Sequence, residues 1–430
     1  MAEIQKLKLL LLLRLRSRFR KKCKKMWVRR IFQEREDKSE YHILVKDLVL
    51  FDHEYFFKSF RMNPETFEQL LSLVAPFITK SSERRPVASA AERLCVTLKH
   101  LCTGDSHVTL ATSYRISPPV IGRIIKETCA VIWNVLMSRD VFKAPSNFIE
   151  WLKIAEEFEN KWNFPHCLGA IDGKHVVIQA PQRSGSMYFN YKKTHSIVML
   201  AVCDANYKFI LADVGDNGRQ SDGGVYASSK LGYAIDHNLL DFPSADFIKG
   251  SQNAIKYPYV FVADDAFSMK SYLIKPYPGK CNDMTKTICN YRISRARRCI
   301  ENAFGILATR FRIYRKPIAS SIETTCNIVK ATLVLHNFLM SLKEPENNSY
   351  SPDGFADKRI GNNIRLGEWR NEIGNVTGIA GLDVMNKGSN NYSNLAKEVR
   401  NAFKDYFNSP AGAVQWQNEV VSGTKNKFDI

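Results

Sequence analysis

Apolar residues in this chain follow two regimes, and the change between them divides it. Up to about residue 150 they recur at three- and four-residue steps, the spacing of helices buried on one face. In FFKSFRMNPETFEQLLSLV, Asn63 stands at the N-cap, Pro64 at the first helical position and Glu65 in the first turn, which predicts a helix start there. Ala88 to Cys102 reads as a helix with apolar positions Ala91, Leu94, Val96, Leu98 and Leu101. Thr103-Gly104-Asp105 breaks that helix, Val108 to Tyr114 makes a short second one, and Ser117-Pro118 starts a longer third. Helix, short helix, tight turn and longer helix resemble a helix-turn-helix unit. Its second motif helix would lie in the major groove, with Arg123 and Lys126 as exposed basic positions near the start. The same trio also reads as a small bundle that only packs on the next domain.

From Pro165 the period shortens. HCLGAIDGKHVVIQAP, His166 to Pro181, has an apolar run ending on Asp172, then Gly173, then Val176, Val177 and Ile178, which predicts strand, turn, strand. Two more runs between Ser196 and Gly215 flank Asp204-Ala205-Asn206, a hairpin signal, so three strands follow in succession from Cys167 with antiparallel connections. GDNGRQSDGGV, residues 215–225, is a glycine-rich loop containing Asp222. A strand over Tyr259 to Ala263 ends on Asp264 and Asp265, and PYPGKCNDMTKTICNY after it reads as a loop. Ser294 to Arg312 is a long helix striped by Ile293, Ala296, Ile300, Phe304, Leu307 and Phe311, with Glu301 at the edge of the stripe. Thr324 to Leu342 is a second apolar helix that covers the sheet. Residues 343–397 read as a weakly ordered polar linker, and Ala396 to Phe407 as a last short helix. The class is α+β, a helical region followed by an α/β part.

Charge changes this picture more than composition does. At 430 residues and 45% hydrophobic content the chain is globular, but its net charge is +19. Residues 1–30 alone hold twelve Lys/Arg against one Glu, so a basic arm precedes a moderately basic body. Polyanions are the natural partners, nucleic acid first and an acidic membrane surface second. Leu9 to Leu13 is too short for a signal peptide core and is bracketed by Lys8 and Arg14; no run approaches a membrane span. RLRSRFRKKCKK, Arg14 to Lys25, reads either as a nuclear-import or nucleic-acid patch or as a solvated basic tail. The ten cysteines include no C-x-x-C pair, which points to buried reduced thiols and away from zinc or a disulfide framework.

Three acids then stand out. Asp172 and Asp264 each follow an apolar strand, and Glu301 lies on a packed helix among Arg295, Arg297, Arg298, Arg310 and Arg312. Taken alone, Asp172-Gly173 is also an ordinary turn pair. Together, carboxylates from two strands and one helix can meet over a sheet, where like charges repel and desolvation is costly. A hard divalent cation with oxygen ligands resolves that conflict, and two such ions clamp a phosphodiester. Arg297 and Arg298 would hold the substrate phosphates.

HCLGAIDGKHV, ADVGDNGRQSDGGVY, YVFVADDAF with Lys275-Pro276-Tyr277, and NYRISRARRCIENAFGILATRFRI together resemble the blocks of PIF/Harbinger-type transposases and the nucleases domesticated from them. The resemblance runs from about Trp151 to Leu342, and the preceding helices are similar to the family's helix-turn-helix part. It implies an RNase H-like core, a mixed sheet flanked by helices, with a D-D-E metal site for Mg²⁺ or Mn²⁺. By block position the triad falls on Asp172, Asp264 and Glu301, and the family's additional loop ligand on Asp222. Ser268 departs from the family's proline, and Asp265 beside Asp264 leaves a one-residue ambiguity. The implied organisation is a basic arm (1–39), a helix-turn-helix-like domain (40–150), a nuclease domain (151–342), and a polar linker with a C-terminal helix (343–430). The implied function is metal-dependent cleavage of DNA, by an active transposase or a domesticated nuclease. The alternative is a catalytically silent DNA- or chromatin-binding protein. Expected partners are DNA, a Myb-like accessory protein and further copies of the chain, without a membrane. The expected compartment is the nucleus, with the cytoplasm second.

Overall fold

The computed structural model describes residues 28–82, 86–219, 222–249, 255–279, 282–342, 349–360, 363–373, 378–381 and 392–422. The basic run Arg14 to Lys25 lies outside the described residues.

The first half is helical, as its spacing predicts. α1 (His53–Phe60) and α2 (Pro64–Ile78) bury Phe56, Phe60, Phe67 and Leu70 together. α3 (Ala90–Thr103) opens on a capping box, in which the Ser89 hydroxyl accepts from the Glu92 N–H and the Glu92 carboxylate accepts from the Ser89 N–H. It stops at Gly104 in the left-handed conformation (φ 71°), where a side chain would press on the Arg312 carbonyl. α4 (His107–Tyr114) and α5 (Pro118–Met137) complete the trio. α6 (Phe148–Trp162) leads into the sheet.

The predicted strand–turn–strand at Asp172 is one strand. β1 runs unbroken over Cys167–Ile178 and pairs antiparallel with β2 (His195–Cys203) from Ala170 through Ile178. Nine consecutive rungs outweigh the local turn preference of Asp-Gly, and the Asp172 carboxylate accepts from the Gly173 N–H within the strand (2.9 Å). The hairpin about Asp204 to Asn206 is present: β2 pairs antiparallel with β3 (Phe209–Asn217). α7 (Asp222–Ser228) follows. β4 (Val260–Val262) pairs parallel with β1, and β5 (Leu273–Ile274) parallel with β4, so the sheet is mixed, ordered β3-β2-β1-β4-β5.

Two further expectations are corrected. Residues 276–291 are not all loop: α8 spans Met284–Arg310, because the Asp283 side chain accepts from the Thr285 N–H and caps the helix ten residues early. Residues 343–397 are not simply a polar linker. Among the described residues, β6 (Ile379–Gly381) joins the sheet antiparallel to β1, and Trp369 lies against Gly305 of α8 with its indole N–H donating to Asn302 (2.7 Å). A Cβ at Gly305 would fall 2.4 Å from that ring. These contacts are made by isolated residues, which leave no periodic signal in the sequence. α9 (Ile322–Ser341) packs on β3 and along α5, and α10 (Asn394–Asn408) packs Phe403 and Phe407 beside α8.

α8 lies on the face of the sheet that Ala170, Val176, Ile197 and Met199 present; α6 lies on the face of Leu168, Ile171 and Leu200. Leu168 and Ile171 share a face despite odd spacing because the β1–β4 register shifts between Cys167 and Gly169. A side chain at Gly169 would meet Val202 at 2.6 Å, so the irregularity requires glycine.

Candidate metal site

β1 has two different neighbours on one edge. β4 pairs with its first part, ending at Ala170↔Val262; β6 pairs with its second, beginning at Lys174↔Gly381. Asp172 sits in the gap between them, on the face that carries α8, opposite the small Ala201 of β2. Two residues past the last β4 rung brings β1 to Asp172 and the β4 chain to Asp264. Parallel register therefore sets these two acids side by side, at the point where β4 gives out.

The electrostatics follow from that geometry. Asp172 is 3% exposed. Burial and the neighbouring Asp172 push the Asp264 carboxyl up to about 6, against the opposing pull of Arg297, the Ala266 N–H and Lys174. Two cations crowd the pair. The Lys174 ammonium is 2.6 Å from Asp172 Oδ2 and lies over the Phe304 ring; the Arg297 guanidinium reaches Asp264 at 3.9 Å and Glu301 at 3.7 Å. A strand that breaks at Gly173 leaves Lys174 in a turn, away from the acids. Read as one strand, period two puts Lys174 on the face of Asp172. The same alternation turns Gly173 to the other face.

The remaining candidates divide. Asp265 turns to Lys275, which is 1% exposed and donates to the Asp265 carbonyl (3.0 Å) and faces its carboxylate (3.3 Å). That separates the two adjacent aspartates. Glu301 touches the acid pair only through Arg297, and among the described residues no three His, Cys, Asp or Glu side chains converge as a metal would need. Asp222 is the first residue of α7, and its side chain lies outside what the structure describes. α7 packs Val225 on Val198, the face opposite Asp172. Arg298 is buried and faces Asp357 at 3.8 Å, which Arg370 grips through both carboxylate oxygens (3.1 and 2.6 Å), so Arg298 is withdrawn from any surface phosphate. Arg123 is exposed on α5 beside a cavity of about 1070 Å³, while Lys126 is paired with Glu323 at 2.6 Å.

Two carboxylates of the kind a hard divalent cation takes, those of Asp172 and Asp264, are brought together, and Glu301 stands off behind Arg297. Asp172 is buried and Asp264 half-buried, and each already has a side-chain cation against it, Lys174 on Asp172 and Arg297 on Asp264. No helix among the described residues is long and apolar enough to cross a membrane.

Residues 171–337 match the family described as DDE superfamily endonuclease. The chain is 23% identical over 306 residues to Protein ALP1-like of Arabidopsis thaliana, covering 68% of this chain and 72% of that protein. It is 23% identical over 291 residues to HARBI1 of Homo sapiens, a protein named as a candidate nuclease, covering 66% and 77%. It is 22% identical over 333 residues to the Arabidopsis protein Antagonist of Like Heterochromatin Protein 1, covering 71% and 80%. No solved structure matches the chain.

Proposed function

We propose that this chain, a member of the Harbinger transposase-derived DDE endonuclease family, is a divalent-metal-dependent DNA endonuclease of transposase type. The observation that carries the reading is the register that sets Asp172 beside Asp264 and pushes the latter up to about 6. Such a pair is held apart from ordinary surface carboxylates by its need for a cation.

Asp172 and Asp264 would hold Mg²⁺ or Mn²⁺, with Glu301 and Asp222 as further oxygen ligands. The bound ion would polarise the phosphodiester and supply activated water. The chain's own residues do the rest. Lys174 and the Gly173 N–H fix the Asp172 carboxylate on a rigid strand. Arg297, drawn to Asp264 and Glu301 without substrate, carries a guanidinium that can turn to a phosphate once those carboxylates are neutralised otherwise. The helices α3 to α5 would read DNA as a helix-turn-helix, with Arg123 on a phosphate or base edge. A nuclear site of action, a Myb-like accessory protein and self-association accompany this reading.

The test is plasmid nicking with Mg²⁺ or Mn²⁺, alongside Asp172→Ala. Cleavage by the wild-type protein and none by the variant is the expected result; equal cleavage by both, or by neither, sinks the nuclease. A second reading, a catalytically silent DNA- or chromatin-binding protein, is favoured by Lys174 and Arg297, which already lie against the two aspartates. It predicts DNA binding that Asp172→Ala leaves intact, with no cleavage by either protein.

A further inference from the structure

α8 ends in a second charged cluster that the nuclease reading does not use. Its last residue Arg310, the 3₁₀ turn Arg312–Arg315 that follows, and Arg61 line a cavity of about 1100 Å³ between α1, the end of α3 and residues 349–372. Arg61 is 8% and Arg310 7% exposed. Neither forms an ion pair among the described residues. The Arg61 Nε donates to the Arg310 carbonyl (3.3 Å), and the Arg310 Nε to the Tyr350 carbonyl (2.7 Å). The Arg312 Nε is buried with no partner among the described residues.

The cluster is costly as it stands. Burial and neighbouring arginines pull the Arg61, Arg310 and Arg315 guanidiniums below their usual range, Arg310 to about 10. A guanidinium does not lose its proton at physiological pH, so the shift measures crowding of like charge in a poorly solvated space. Arg61 adds a backbone penalty. It caps α1 at φ 61°, a left-handed position that glycine takes without strain.

We propose that this cavity binds a compact polyphosphate anion, several phosphoryl groups on one small molecule, held by Arg61, Arg310, Arg312 and Arg315. Guanidiniums match phosphate oxygens in pairs, and a concave site of this size suits a small ligand. The acids of the cavity, Glu54, Glu368 and Glu372, are exposed while the arginines are buried or half-buried. A basic floor inside an acidic rim admits a compact anion and repels a duplex, whose charge continues across the rim. Lys58 is already paired with Glu54, and Arg365 faces Glu368 at 3.8 Å; the Glu372 carboxylate is the one whose field reaches Arg61, Arg310 and Arg315.

The test is calorimetric titration of the full chain with sodium tripolyphosphate, in EDTA so that no cation bridges the anion to the carboxylates. The expected result is saturable one-to-one binding, with orthophosphate weaker by about tenfold or more. Arg312→Gln/Arg315→Gln should weaken it by about tenfold, the loss of one or two charge-assisted hydrogen bonds, and Lys153→Gln, on the exposed face of α6, should leave it unchanged. Glu372→Gln should tighten it by about threefold, a gain that misfolding does not mimic. No saturable binding, or binding indifferent to both the arginine pair and Glu372, overturns the proposal. So does a 20-base-pair duplex that displaces tripolyphosphate and itself loses affinity in the arginine double variant, since the cavity would then be part of a DNA track.

Discussion

The middle and the end of α8 carry opposite imbalances. At Arg297 and Glu301 the helix faces two side-by-side aspartates; with Glu301 they make three carboxylates against the two cations Lys174 and Arg297. Nine residues past Glu301, about 13 Å along the axis, Arg310 belongs to an arginine cluster with too little negative charge. Beside Arg297, Arg298 forms the control: it shares the Asp357 carboxylate with Arg370, so its counter-charge is supplied by the fold. All three clusters are partly buried. The difference shows that burial alone does not mark a ligand site. A buried charge completed by the chain's own residues is structure; one left short of its counter-charge is where an ion or anion belongs.

The largest effect should separate the adjacent aspartates. Asp264→Asn should cut nicking by roughly a thousandfold or more, while Asp265→Asn should keep activity within about tenfold and instead lower the melting temperature, because Lys275 is left buried without its carboxylate. Equal loss of activity in both variants would erase the distinction between the acid that faces Asp172 and the one that faces Lys275.

Next comes the closed cluster. Asp357→Ala should destabilise the fold by about 3–5 kcal/mol in urea titration, since it strands Arg298 and Arg370 together. A cost under about 1 kcal/mol would place Asp357 among ordinary surface ion pairs.

The acid pair should behave in the opposite sense. Asp264 holds its proton more tightly in the folded chain, up to about 6 from 3.8, so its ionisation costs stability above that range and nothing below pH 4. Wild-type stability should therefore fall as pH rises from 4 to 6. Asp264→Asn should be more stable than wild type at pH 7, by about 2 kcal/mol, and no more stable at pH 4. Added Mg²⁺ should raise the melting temperature of the wild type and leave the variant unmoved. A variant that is less stable at pH 7 would mean that Arg297 and Lys174 fully compensate the pair.

The smallest effect lies outside both clusters. Arg123→Gln should weaken DNA binding by about 1 kcal/mol and lower the salt slope by about one, measured by fluorescence anisotropy across salt concentrations. Lys126→Gln should do less, because Glu323 already holds that ammonium.

Most of the elements were legible in the chain. Asn63-Pro64 and Ser117-Pro118 mark the starts of α2 and α5, the Thr103-Gly104-Asp105 break ends α3, the Asp204 hairpin is a local turn signal, and α9 and α10 read as helices from their apolar content. Three things were not. The break at Gly173 came from reading a turn pair without its ladder, and it hid Lys174. The early start of α8 came from a single cap at Asp283. The contacts of Asp357, Trp369 and Ile379–Gly381 join residues far apart in sequence, which no local period records.

What the sequence determined by itself is which residues are acids and which stand at the ends of apolar runs, because these are properties of composition and local spacing; likeness to known blocks adds the resemblance to a DDE endonuclease. Which charges meet was decided by the tertiary structure. Asp172 adjoins Asp264 only because β4 pairs parallel in one register. Arg298 is closed by Asp357 and Arg310 is not, only because of where a distant segment returns to the same helix. Electrostatic energy depends on distance and on the solvent left between groups, and neither exists until the chain has packed.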